Sequence, residues 1–123
     1  MTGYDVVQQA LTLLNYTTPT GDIDNGLNAE QLRRSLPILN TVVTDLLTVA
    51  GKSMQKMTDL QEELPLEENV AMLAVVPGVA MYLAQSENDG DNYNRWAAEY
   101  TKRRRMVARP RGVVKDTAPW PVQ

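Results

Sequence analysis

Apolar residues recur every three or four positions from residue 32 to residue 50: Leu32, Leu36, Leu39, Val43, Leu46 and Ala50, with Leu47 widening the stripe. That spacing lines one face of an α-helix, whereas a strand would need strict alternation. Thr41, Val42, Val43 and Thr44 are β-branched and alone favour a strand, but the leucines on both sides outweigh a weak intrinsic propensity. Asn28 is placed to open this helix, with Gln31 at the capping-box position. Gly51 is placed to end it in the left-handed conformation. Pro37 lies inside it and removes one backbone donor, which predicts a kink near the first turns.

The same period appears three more times. Thr2 caps a first helix, with Asp5 three places on, and Tyr4, Val7, Leu11 and Leu14 form its apolar face. Residues 15–26 break the pattern: Pro19, Gly21 and Gly26 stand among Asp22, Asp24 and Asn25, which is turn chemistry. Residues 52–66 read either as a short extended segment or as a loop pinned by Leu60, Leu64 and Leu66. A third helix begins between Pro65 and Glu68, its acids favourably placed at the positive helix end. It runs through Val70, Leu73, Val76 or Pro77, Met81 and Ala84, with a kink expected at Pro77-Gly78. Ala71, Ala74, Ala80 and Ala84 are small enough to admit a close neighbour. After a turn over residues 88–92, Asp91 or Asn92 caps a fourth helix with Tyr93, Trp96, Ala97 and Tyr100 inward. The pattern stops after Met106. The expected fold is all-α: a small bundle of about four helices, with a helical domain over 1–106 and an extended basic arm over 107–123.

Composition narrows the chemistry. The 123 residues suffice for one domain with a modest core. Cysteine and histidine are both absent, which removes disulfides, thiolates and the usual neutral-pH acid–base group. Neither a Gly-x-Gly fingerprint nor a phosphate-binding loop occurs. Ser35, Ser53 and Ser86 have no histidine to activate them. Asp89, Asp91 and Asn92 resemble part of a calcium loop but lack its terminal glutamate, and read as a helix-capping turn. Glu62, Glu63, Glu67 and Glu68 read as a solvated acidic face or a patch for a basic partner. No catalytic, metal or cofactor site is expected, and the chain is not expected to be an enzyme. No apolar run of bilayer-spanning length and no signal peptide is read from the sequence, so no membrane partner is expected.

Charge is sharply segregated. Residues 1–101 hold fourteen acids and five bases, a net of −9; residues 102–123 hold seven bases and one acid, a net of +6. The bases are Lys102, Arg103, Arg104, Arg105, Arg109, Arg111 and Lys115, interspersed with Pro110, Pro119 and Pro121. Such an arm has too little apolar surface to offset its ordering entropy, so it should order on something else. The run at 102–105 has three readings: a solvated helix end, contact with nucleic-acid phosphates, or docking on an acidic protein surface, where arginine forks favour carboxylates. The arm tilts the balance to the third. Arg103, Arg104, Arg105, Arg109 and Arg111 would supply charge, Val113 and Val114 a short strand for a neighbour's edge, and Trp120, between two prolines, a rigid anchor. An acidic body and a basic end also permit head-to-tail contact between copies.

Four stretches resemble one family: residues 79–96 (VAMYLAQSENDGDNYNRW), 1–7 (MTGYDVV), 27–37 (LNAEQLRRSLP) and 109–112 (RPRG). They are similar to segments of tailed-bacteriophage head–tail connectors, the neck adaptor or head-completion proteins. The resemblance implies a helical bundle assembled as a homo-oligomeric ring, a dodecamer, beneath the portal protein. It implies a channel for genomic DNA without sequence-specific binding, a platform for a downstream neck or tail protein, and arms that reach the portal or a neighbouring subunit. It places the protein in the virion neck, and in the host cytoplasm during assembly. The alternative is a small DNA-binding or packaging accessory protein that uses the basic C-terminal segment.

Overall fold

The computed structural model describes residues 1–18, 22–23, 26 and 28–112, the side chains of 109–112 excepted. Four helices make an all-α bundle: α1 (Gly3–Leu13), α2 (Ala29–Val49), α3 (Glu68–Ser86) and α4 (Gly90–Gly112). No strand occurs among the described residues; one isolated antiparallel bridge joins Thr2 to Glu63.

α1 starts on the expected capping box. The Thr2 hydroxyl accepts from the Asp5 amide at 3.1 Å, and the Thr2 amide donates to the Asp5 carboxylate at 3.0 Å. α1 buries Val6, Val7, Ala10 and Leu11, while Tyr4 is only half-buried. At α2 the expected box is replaced. Asn28 makes no side-chain cap; its buried amide donates to the Tyr16 carbonyl at 3.0 Å and to Gln31 at 2.9 Å. The residue is used to fasten the α1 exit to the α2 entrance. α2 continues through Pro37, which is exposed and removes one backbone donor without ending the helix.

Three helices end alike. Asn15, Gly51 and Asn88 each adopt a left-handed conformation, with φ of 65°, 73° and 58°. In each case the next residue's amide reaches back five positions, Tyr16 to Leu11, Lys52 to Leu47 and Asp89 to Ala84, all at 2.9 Å. This pattern satisfies the last carbonyls and turns the chain sharply. It matches the expectation for Gly51, and asparagine does the same work twice.

Residues 52–66 form a loop pinned to the core, the second of the two readings. Met57 and Leu64 are buried, and Leu60 and Leu66 half-buried. The Asn40 side chain grips the Met57 backbone on both sides, at 2.8 and 2.9 Å. The loop also binds the start of the chain: Gly3 donates to Glu62, Tyr4 to Leu60, and Leu64 to Met1.

α3 is the central element and packs against α1, α2 and α4. It is 19 residues long and holds an 18-residue window of mean hydropathy 1.4, enough by length and composition to cross a membrane, contrary to the expectation that no such run exists. Its apolar residues are used in this bundle: Ala71, Ala74, Val75, Val79, Ala80, Leu83 and Ala84 are all buried. They meet Leu11, Leu39, Leu46 and Leu47, each of which contributes about 1.5–3 kcal/mol on burial.

α4 also differs from expectation at both ends. Its cap is Asp89, not Asp91 or Asn92: the Asp89 carboxylate accepts the Asn92 amide at 3.2 Å. Its helix does not stop at Met106 but runs to Gly112, with Val107 buried in the core. Val107 lies seven residues beyond Tyr100, two turns along the same face, and so prolongs the stripe of Trp96 and Tyr100. The part of the 107–123 arm that is described is therefore helical; residues 113–123 lie outside the described residues, as do Pro19, Gly21, Asp24 and Asn25 of the first break.

Candidate docking groove between α3 and α4

The groove originates in a proline. Pro77 has no amide proton, and its ring crowds the carbonyl four residues earlier, that of Leu73. The chain responds with a π-helical stretch at Ala71–Val75, in which the Val76 amide reaches back to Ala71. The expected kink at Pro77-Gly78 is thus a local widening placed one turn earlier. The Leu73 carbonyl accepts a bond from Arg103 Nη1 on α4 at 3.2 Å. Arg103 is held in that pose by Glu99, whose carboxylate accepts Nε at 3.1 Å.

Met72 lies within the widened turn and is 42% exposed; Met106, on α4, is 48% exposed. Between them runs an open groove of about 930 Å³, with Leu73 on its floor. Its rim is charged: Glu68 on α3, and Glu99, Lys102 and Arg103 on α4. On the far side of Met106 a smaller hollow of about 240 Å³ continues the apolar surface with Leu66, Val70 and Val107. Glu62, Glu63, Glu67 and Glu68 are all exposed in the loop before α3 and its first residue, which makes this end of the bundle acidic beside the cationic end of α4.

The other flank of α4 is fixed to α2. Arg104 grips Asp45 with both arms of its fork, Nε to Oδ2 at 2.7 Å and Nη2 to Oδ1 at 2.8 Å. The Tyr100 hydroxyl donates to the same Asp45 Oδ2 at 2.6 Å. The Arg104 bond outweighs the opposing effect of burial and, helped by the smaller contribution of Tyr100, holds the Asp45 carboxyl below its usual range. Burial first, and then Asp45, push the Tyr100 phenol far above its ordinary value. Gly78 makes this approach possible, because a Cβ there would lie 2.7 Å from the Tyr100 ring and 2.8 Å from Val42.

The candidate residues read from the sequence are therefore distributed. Arg103 and Arg104, expected to serve a partner, are engaged within the chain by Glu99, Leu73 and Asp45. Arg105 is exposed. Arg109 and Arg111 belong to the last turns of α4. Val113, Val114 and Trp120 lie outside the described residues. The sequence reading missed Asp45, Met72 and Met106. An acid near the C-terminal end of α2, the unfavourable end for a negative charge, was a signal for the first. Asp89, at the other end of α4, is also occupied: the Tyr16 hydroxyl and the Asn92 amide donate to its Oδ2 at 2.7 and 2.8 Å, and both lower its pKa, Tyr16 more.

Fixed ion pairs thus border an open groove whose lining mixes apolar and charged side chains. Comparison with protein-family models, with curated proteins and with solved structures gives no match to this chain.

Proposed function

We propose that this chain is a structural adaptor of the head–tail connector kind, a subunit that joins larger parts by binding and by ring assembly beneath a portal protein. The observation that carries the reading is the separation of charge along the fold. The bundle is strongly acidic, the exposed glutamates gather at the start of α3, and the cations gather on the last turns of α4 and beyond. A part with opposite charges at two sites favours directed contact with a neighbour and disfavours wrong pairings. An acidic wall facing a channel would let genomic DNA pass without adhering. A downstream neck or tail protein would meet the opposite face of the ring.

The test is to mix purified chain with portal protein and to measure the mass and appearance of the complex by light scattering and electron microscopy. A closed ring on the portal is the expected result. The alternative is a DNA-binding accessory protein; two of the four bases at 102–105 are engaged by Asp45 and Glu99, which leaves fewer cations for phosphates and for a partner's carboxylates alike. Duplex binding whose affinity falls steeply with salt, without portal association, would favour that alternative.

A further inference from the structure

We propose that the groove between Met72 and Met106, lined also by Leu73, is the seat for Val113-Val114 of a second copy of this chain, so that copies join head to tail. The inference deepens the adaptor reading, on which it rests for the closure of the chain of copies into a ring.

Three observations carry it. First, the two methionines stand exposed on opposite walls of one groove, and a flexible thioether pair adapts to branched aliphatic side chains. Second, the chain supplies a matching segment. Eleven residues follow Gly112, and they include Val113, Val114, Trp120 and Val122 with a single base, Lys115, and a single acid, Asp116. This composition suits a groove whose rim carries Glu68 and Glu99 as well as Lys102 and Arg103. Just before the valines, Arg109 and Arg111 would arrive beside the exposed Glu62, Glu63 and Glu67 of the receiving copy, as charge complementarity requires.

Third, reach decides between one copy and two. α4 is helical to Gly112, so Met106 lies six residues back, about 9 Å along the axis. Val114 is only two residues beyond Gly112, a reach of at most about 7 Å even when extended. To fold back, the pair would also have to clear its own helix, a rod about 10–12 Å across with side chains, which uses up a two-residue reach before it can lie along its own Met106 and across to Met72; a second copy has no such constraint. A heterologous contact of this kind adds copies in one direction and closes if the rotation allows.

The chain has no native cysteine, so a disulfide trap is clean. Full-length Met72→Cys and full-length Val114→Cys would be mixed and oxidised, with Leu13→Cys, 42% exposed on α1, replacing Met72→Cys as the control. The expected result is a mixed dimer several-fold above the control. Met106→Glu in otherwise unaltered chain should weaken self-association by roughly tenfold or more, as for loss of an apolar anchor, with its helical circular dichroism retained. Equal trapping at Met72 and Leu13 overturns the proposal. So does an intramolecular disulfide in the dilute Met72→Cys/Val114→Cys double variant, which would make the chain its own occupant. Rings on the portal without the 72–114 link would sink the seat while leaving the adaptor reading standing; the link without any ring or portal binding would do the reverse.

Discussion

Arg103 donates to the Leu73 carbonyl, the acceptor that Pro77 deprives of its ordinary helical donor. A defect in α3 is thereby met by a side chain from α4, and the contact lies in the wall of the groove. Arg103→Ala should cost about 1.5–3 kcal/mol in denaturant unfolding, the usual loss when a charged hydrogen bond is removed. In a Pro77→Ala background residue 77 regains its amide, and the same change should cost less. A double-mutant cycle reads the difference, and a coupling of zero would dissociate the proline from the arginine.

Asp45 joins α2 to both Tyr100 and Arg104, and gives the bundle an acid-sensitive latch. Its carboxyl titrates below the ordinary carboxylate range in the folded state. The stabilisation is therefore complete above the unfolded value, about pH 4, and disappears as pH falls through the lower folded value. Asp45→Asn should lower stability at pH 7 and flatten the acid limb of a stability–pH curve. Unfolding midpoints measured from pH 7 down to pH 2 for both proteins test this.

Gly78→Ala places a methyl against the Tyr100 ring and Val42. Helix propensity would gain up to about 1 kcal/mol, but forcing apart three packed helices typically costs about 1–3 kcal/mol. A net loss in the thermal midpoint is expected. Gly90→Ala is the contrasting case, since a Cβ there meets nothing within 4 Å; it should unfold at or above the parent temperature.

Truncation separates the bundle from its last segment. Removal of residues 113–123 should leave a cooperatively unfolding helical protein that no longer enters assemblies. Removal of 107–123 also takes Val107 out of the core and should lower stability by about 1–3 kcal/mol. Circular dichroism melts of the two truncations, side by side, show whether the boundary falls after Gly112. In the full chain, Trp120→Ala should weaken assembly by about 2 kcal/mol or more if the indole is an anchor, which occupancy in assembled particles reports.

Periodicity made the helices legible. The stripes from Leu32 to Ala50 and from Val7 to Leu14, the Thr2–Asp5 box and the Gly51 ending are local patterns, and local physics produces them. Less legible were features that depend on partners far along the chain. Asn28 resembles a cap but is drawn to Tyr16, and the start of α4 moves to Asp89, where Tyr16 adds a second donor. Pro77 marked a disturbance, but its form, a π-helical stretch relieved by Arg103, needed a helix thirty residues away. The groove was the least legible of all. Met72 and Met106 look like ordinary core positions in the sequence, and only the widened turn and the end of α4 leave them uncovered. The cationic cluster at 102–105 was visible, but not its division between internal latches and exposed surface.

The continuation of α4 to Gly112 turns a question of affinity into one of geometry. Arg103 and Arg104 clamp this rod to two neighbouring helices, so the final eleven residues leave from a fixed post. At about 3.3–3.6 Å for each residue, the eight residues from Gly112 to Trp120 span no more than roughly 26–29 Å. A surface proposed to receive the indole must lie within this radius, which sets an upper limit on the spacing in any assembly joined through it.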